Sequence, residues 1–185
     1  ALCSFYEHKF LLQHPTEKFY GWRFMDDLLM CVTPETDTSQ LKAIYPKPLD
    51  LEEEKVDTQA TFKYLQTATK VHKNGSFEIG FFEKNTQRKA QGKQPLKNVV
   101  PFDSYVMHTM HFSRIVGAFH VVLHHTNSVV TFKKGIEYQM REFDRGGLSR
   151  KMKAKCLQYM VHKTSNNANN VSKVFAQQLQ KVVAN

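Results

Sequence analysis

The chain has 185 residues, 41% hydrophobic and 23% charged, which is the composition of a globular protein and not of a disordered tail. Its length allows one domain or two very small ones. No apolar run approaches the about 18 residues of a membrane-spanning helix, and the N-terminal residues lack the basic region of a secretory signal. A spanning protein, a secreted protein and a disordered tail are therefore not expected.

The positive charge is concentrated in one half of the sequence. The formal net charge is +9, from 26 Lys and Arg against 17 Asp and Glu. Residues 93–185 contain 14 basic and 4 acidic residues, whereas residues 1–92 contain 12 basic and 13 acidic residues. Such an asymmetry is expected when one half contacts a polyanion. Nucleic acid is the favoured partner, and a basic surface that only maintains solubility is the alternative.

The three cysteines indicate the redox state of the cellular compartment. Cys3, Cys31 and Cys156 are odd in number and widely spaced, without a C-x-x-C pair. This pattern argues against a disulfide scaffold and a cysteine-rich zinc module. It favours an intracellular, reducing compartment, and it does not distinguish the nucleus from an organelle.

The first third of the chain is expected to mix helix and strand. Apolar residues at three- and four-residue spacing predict a helix over residues 1–14. Two apolar runs flank Asp26 and Asp27, and adjacent aspartates are poor inside a strand but natural at a tight turn. The segment therefore predicts a β-hairpin with both acids at its tip, and with Trp22 and Leu28 on its two strands.

A second hairpin is expected further along the chain. Residues 60–71 and 76–83 are rich in β-forming residues, and Asn74-Gly75 between them is a strong hairpin signal. Residues 84–98 are polar and basic without a period, so they predict an exposed loop.

From about residue 108 the apolar period becomes helical. The pattern predicts four helices, which carry Phe112–Leu123, Val129–Phe143, Met152–Met160 and Val171–Val182. Gly146-Gly147 is expected to end the second helix, and Ser149 to cap the third.

Asp26 and Asp27 have the chemistry of a divalent-metal site. Nucleotidyl transfer uses two divalent ions about 3.5–4 Å apart. Hard ions prefer carboxylate oxygens, so acids at the tip of an apolar hairpin suit this task. A plain acidic turn is the alternative, because acidic dipeptides are common in turns. The pair is thus the candidate catalytic and Mg²⁺-binding site.

The surroundings of this pair resemble a known family. Phe24-Met25-Asp26-Asp27 before an apolar strand is similar to the central catalytic motif of reverse transcriptases. Further segments resemble, in order, the preceding helix, the later palm, the primer-grip hairpin and the thumb of Penelope-like and related non-viral retroelement enzymes, over roughly residues 1–162. These segments are Tyr6-Glu7, Tyr45–Leu49, Thr61–Leu65, Gly75–Glu78, Pro101–Ser104, Ser113–Ile115 and Phe143–Leu148.

The resemblance implies an α+β fold in two parts. Residues 1–100 are expected to form a partial polymerase palm of β-hairpins plus helix. Residues 101–185 are expected to form a basic, helical, thumb-like bundle. In the family, a further metal-binding aspartate and the fingers lie upstream of the segment that this chain matches. The two aspartates alone cannot hold two ions, so Mg²⁺ is expected only if a third carboxylate is supplied, and the chain is not expected to polymerise by itself.

The basic residues of the helical half are the candidate nucleic-acid ligands. Helix faces offer a firm scaffold for phosphate contacts, and in the family the thumb grips the template–primer duplex. A solvated helix face is the alternative. The candidate residues are Arg114, Lys133, Lys134, Arg141, Arg145, Arg150, Lys151, Lys153 and Lys155.

The resulting hypothesis is a reverse-transcriptase-like protein that binds RNA or an RNA–DNA duplex. The absent upstream motifs favour a non-catalytic remnant that is a structural component of a ribonucleoprotein, together with other protein chains. The alternative is a fragment or subunit of an active RNA-directed DNA polymerase. Nucleic-acid binding without polymerase ancestry is a third possibility, and it leaves the Asp26–Asp27 hairpin unexplained.

Overall fold

The computed structural model describes residues 2–14, 20–33, 36–47, 49, 51–52, 61–96, 101–165 and 170–184. The chain divides into two compact units, Ala1–Asp57 (unit 1) and Thr58–Asn185 (unit 2). The described residues form helices and two small antiparallel sheets, which is an α+β fold. None of the described helices is long and apolar enough to cross a membrane.

The part of unit 1 that the structure describes contains one helix and one hairpin. Helix α1 is Leu2–Gln13, strand β1 is Tyr20–Phe24 and strand β2 is Asp27–Cys31, and a 3₁₀ turn follows at Gln40–Ala43. β1 and β2 are antiparallel, with Phe24 opposite Asp27. The predicted helix and the hairpin with the acids at its tip are thus confirmed. A small core holds the unit together, formed by the buried side chains of Phe10, Leu41, Ile44 and Tyr45.

Unit 2 begins with a three-stranded antiparallel sheet. Its strands are β3 (Thr61–Tyr64), β4 (Thr67–Val71) and β5 (Phe77–Phe81), in that order. The predicted hairpin is confirmed as β4–β5, and Gly75 adopts a φ of +79° in its connection. The expected single segment 60–71 contains a further turn at Leu65, whose φ is +54°. Sequence patterns did not predict this turn, because neither Gly nor Asn marks the left-handed position.

Five helices follow the sheet among the described residues of unit 2. The four long helices confirm the predicted periodicity, and Ser149 accepts a hydrogen bond from the Met152 amide as the expected cap. The loop prediction for 84–98 is wrong at its start, because residues 84–90 are helical and Asn85 is buried. Tertiary contacts of Asn85 override the missing apolar period there. The helices are α2 (Lys84–Ala90), α3 (His108–His124), α4 (Val129–Arg145), α5 (Arg150–Thr164) and α6 (Val171–Ala184).

The core of unit 2 joins the helices to the sheet. The ring of Phe119 packs edge-on against Phe143 and Phe175, which brings α3, α4 and α6 together. β5 lies against α4, where Gly80 faces Thr131 and Gly135 faces Phe81. Because the sheet shares this core, strands β3–β5 belong to the same unit as the helices, which begins at Thr58.

Two helical glycines provide a matched test of this packing. A Cβ on Gly135 would lie 2.6 Å from Val122 Cγ1, and Val122 is fully buried, so the overlap cannot be relieved by a flexible side chain. A Cβ on Gly117 would meet nothing within 4 Å. Alanine gains about 1 kcal/mol of helix propensity at either site, whereas overpacking costs about 1–3 kcal/mol. We expect Gly117→Ala to raise the free energy of unfolding, and Gly135→Ala to lower it, in urea titrations followed by circular dichroism. Equal effects at both positions would contradict this packing.

Candidate nucleic-acid interface

The aspartate pair lies where the sequence predicted it. Asp26 is in the turn, next to Met25 with a φ of +55°, and Asp27 begins β2. Both acids are exposed. They are the residues that would hold Mg²⁺, and the described part of the chain brings no group of three or more His, Cys, Asp or Glu side chains together.

A polar network that sequence reasoning missed anchors the hairpin to α1. Arg23 Nε on β1 donates to Glu7 Oε1 at 2.7 Å, and the Tyr45 hydroxyl donates to the same oxygen at 2.5 Å. Burial and the Glu7 carboxylate raise the pKa of Tyr45 well above its usual value, so it stays a donor. The three residues are far apart in sequence, and no local pattern links them.

Removing one member of this network tests it. We expect Tyr45→Phe to lower the stability of unit 1 by about 1 kcal/mol, because the Glu7 carboxylate loses a donor. The single tryptophan, Trp22, lies in β1, so its fluorescence during urea unfolding reports on this unit. Tyr20→Phe is the matched control, since Tyr20 is exposed and should give no change. Equal effects of the two variants would show that the bond to Glu7 contributes nothing.

One face of the hairpin is apolar and exposed. Tyr20, Trp22 and Phe24 alternate along β1, so they share one face, and each is more than half exposed. Contiguous apolar surface of this kind marks an interaction site more often than an ordinary solvated surface.

The charge asymmetry follows the division between the units. Unit 1 carries 6 basic and 11 acidic residues, a net charge of −5. Unit 2 carries 20 basic and 6 acidic residues, a net charge of +14. The structural boundary thus separates the charges more sharply than the division at residue 92.

Four of the nine candidate phosphate ligands have protein partners within unit 2. Arg141 lies 3.6 Å from the Glu83 carboxylate, Arg145 pairs with Glu142 and Lys153 pairs with Asp144. The guanidinium of Arg150 donates to the carbonyl oxygens of Val182 and Val183 at the end of α6. These contacts stabilise the fold, which makes the four residues weaker candidates for binding phosphate.

The other five candidates are exposed, and the described residues place no carboxylate within salt-bridge distance of them. They are Arg114, Lys133, Lys134, Lys151 and Lys155. Their charges are therefore available to a polyanion.

Two of these lysines lie on one stripe of α5, beside aromatic rings. Lys151, Lys155 and Tyr159 follow at four-residue spacing, so they share a helix face, which we call the α5 basic face. Lys155 Nζ lies 5.7 Å from the centroid of the Phe112 ring on α3, and that ring packs edge-on against Tyr159 at 5.5 Å. Surfaces that bind single-stranded nucleic acid commonly combine cationic side chains with aromatic rings.

Comparison with known proteins gives no match: no family model, no curated protein and no solved structure is similar to this chain.

Proposed function

We propose that the chain is a reverse-transcriptase-like protein that binds RNA or an RNA–DNA duplex, as a non-catalytic component of a ribonucleoprotein. The observation that carries the proposal is the net charge of +14 on unit 2, together with the exposed lysines of the α5 basic face. A polyphosphate backbone is the partner that matches such a surface, because neutralising phosphates releases counterions.

The α5 basic face supports this proposal through its geometry. Lys151 and Lys155 are one helical turn apart on a helix fixed to the core, so both reach the same strand of phosphates. Tyr159 is 41% exposed and offers a ring on which a base can stack. Phosphate contacts carry no sequence information, so binding is expected to be largely independent of sequence.

The non-catalytic part of the proposal rests on the donor set of the hairpin. Asp26 and Asp27 supply two carboxylates, and two-metal nucleotidyl transfer needs a further ligand to hold both ions in place. The pair therefore binds Mg²⁺ weakly in this chain unless a third carboxylate is supplied.

A second candidate function is favoured by the apolar hairpin face. Tyr20, Trp22 and Phe24 expose a surface directly beside the two acids. A further polypeptide that packs on this face and brings a third carboxylate would complete a polymerase site. The chain would then be a subunit or fragment of an active RNA-directed DNA polymerase, with Mg²⁺ as its cofactor.

Salt-dependent binding and primer extension test the two candidates together. We expect the chain to bind single-stranded RNA and RNA–DNA duplexes of unrelated sequence in fluorescence anisotropy, with log K falling linearly with log salt. We expect no primer extension with Mg²⁺. Binding that is absent at low salt, or that ignores salt, would contradict RNA binding. Extension by the chain alone that is lost in Asp26→Asn would contradict the non-catalytic role, and would mean that the third carboxylate comes from this chain itself.

A further inference from the structure

A cavity of about 700 Å³ lies within unit 2, between β5, α3 and α4. Its volume is within the range of about 300–1,000 Å³ that is typical of small-molecule sites. Aromatic rings make up much of its lining, contributed by Phe81, Phe82, Phe102 and Tyr138. Such walls favour a flat, apolar group.

His111 gives this cavity a polar group without a partner. The residue lines the cavity and is only 4% exposed, and its ring lies 4.4 Å from that of Phe102. Its Nε2 atom is buried and has no hydrogen-bond partner among the described residues. An unsatisfied buried nitrogen is unfavourable, so a ligand atom that forms a hydrogen bond with it is stabilised.

The rim of the cavity is positively charged. Arg114 on α3 and Lys84 on α2 line the cavity and are exposed. Glu142 also lines it, but its carboxylate already accepts hydrogen bonds from Asn85 Nδ2 at 2.5 Å and from Arg145. The acid is therefore compensated, and the rim retains its attraction for an anion.

We propose that this cavity binds one unstacked nucleotide, with the base among the aromatic rings and the phosphate on Arg114 and Lys84. This inference rests on the proposed nucleic-acid binding and deepens it, because a bound strand supplies such a nucleotide wherever it is unpaired. A base fits better than an aromatic amino-acid side chain such as phenylalanine, because a base combines a flat face with a polar edge that can meet His111. Arg114, which the sequence assigned to phosphate binding in general, thereby acquires a defined position.

Calorimetry with small probes tests the cavity directly in the full chain. We expect AMP to bind, and adenosine and inorganic phosphate to bind about tenfold more weakly, because each lacks one half of the recognition. Arg114→Gln should weaken AMP binding about tenfold, since it removes a charge-assisted contact. Ala118→Phe, which fills the cavity from α3, should abolish it. Lys173→Gln removes an exposed lysine of unit 2 that does not line the cavity, and should leave AMP binding unchanged.

The outcomes separate this inference from the proposed function. A chain that binds single-stranded RNA in anisotropy but not AMP would overturn the cavity proposal alone, whereas a chain that binds AMP but no RNA would overturn the proposed function. Two further results would overturn the cavity proposal. One is inorganic phosphate that binds as tightly as AMP, and the other is AMP binding that is unchanged in folded Arg114→Gln.

We expect Ala118→Phe to weaken binding of single-stranded RNA more than that of a blunt duplex. If Ala118→Phe weakened the binding of both nucleic acids equally, the bound strand would not be the source of the nucleotide. Because Ala118→Phe can disturb the core, the exposed Arg114→Gln remains the decisive variant.

Discussion

Replacing Lys151 and Lys155 together by glutamate is expected to lower the affinity for RNA by on the order of 100-fold near 0.1 M salt. Each lysine loses a phosphate contact, and each new carboxylate repels the strand. The slope of log K against log salt should become shallower by about two units, because two fewer counterions are released. Both side chains are exposed on the α5 basic face, so the fold should be retained. Fluorescence anisotropy across a salt series measures both quantities.

The matched control changes the net charge of the chain by the same amount. Lys9→Glu with Lys173→Glu alters exposed lysines on α1 and α6, and should reduce affinity no more than about threefold through the general field. An equal loss in both double variants would show that affinity follows net charge alone. If reversal of Lys70 and Lys73 near the β4–β5 turn abolished binding while the α5 variant bound normally, the strand would contact the hairpin instead of the α5 basic face.

Asn85→Leu is expected to lower the free energy of unfolding of unit 2 by about 3 kcal/mol. The Asn85 side chain is 1% exposed; its amide donates to the carbonyl oxygen of Leu96 at 2.9 Å and to Glu142 Oε2 at 2.5 Å. The Leu96 amide in turn donates to Asn85 Oδ1 at 2.7 Å. Leucine satisfies none of these groups, and it leaves the buried Glu142 carboxylate without one of its two donors.

Urea unfolding followed by far-ultraviolet circular dichroism measures this loss, because unit 2 contains most of the helix. Lys89→Ala on the same short helix is the control, since Lys89 is exposed and its loss should change stability by less than about 0.5 kcal/mol. A loss below about 1 kcal/mol in Asn85→Leu would mean that water replaces the amide at Glu142, and that α2 is held by other contacts.

Local signals were sufficient for much of the fold. The four long helices follow from apolar periodicity, and their starts and stops at Ser149 and Gly147 follow from capping chemistry. The Asp26–Asp27 and Asn74–Gly75 turns are also local features. In each case the residues that decide the structure lie within a few positions of one another, so the sequence pattern contains the whole cause.

The elements that escaped prediction depend on distant partners. Helix α2 has no apolar period, and it forms where Asn85 is tied to α4 through Glu142. Leu65 adopts a left-handed backbone conformation in its turn although it is not a glycine, and pairing with β5 maintains this turn. Strands β3–β5 lie in the same unit as the helices because β5 packs on α4, a contact between segments that are about 50 residues apart.

Prediction of the candidate site from the sequence was limited in the same way. Sequence composition identified the basic helices, but it could not separate Lys151 and Lys155 from cations that have protein partners. A set of charge reversals that included Arg150 and Lys153 would break contacts with α6 and Asp144, and would confuse loss of binding with loss of stability. The Glu7–Arg23–Tyr45 network and the cavity beside His111 also join residues that no spacing rule connects.

Lysine footprinting tests the central claim most directly, because it locates the bound strand without any substitution. The chain is acetylated with and without saturating RNA, and the modified lysines are identified by mass spectrometry. We predict that RNA protects Lys151 and Lys155 of unit 2, while Lys9 and Lys47 of unit 1 react as before. Protection confined to unit 1, or no protection of the α5 basic face at saturation, would contradict the account.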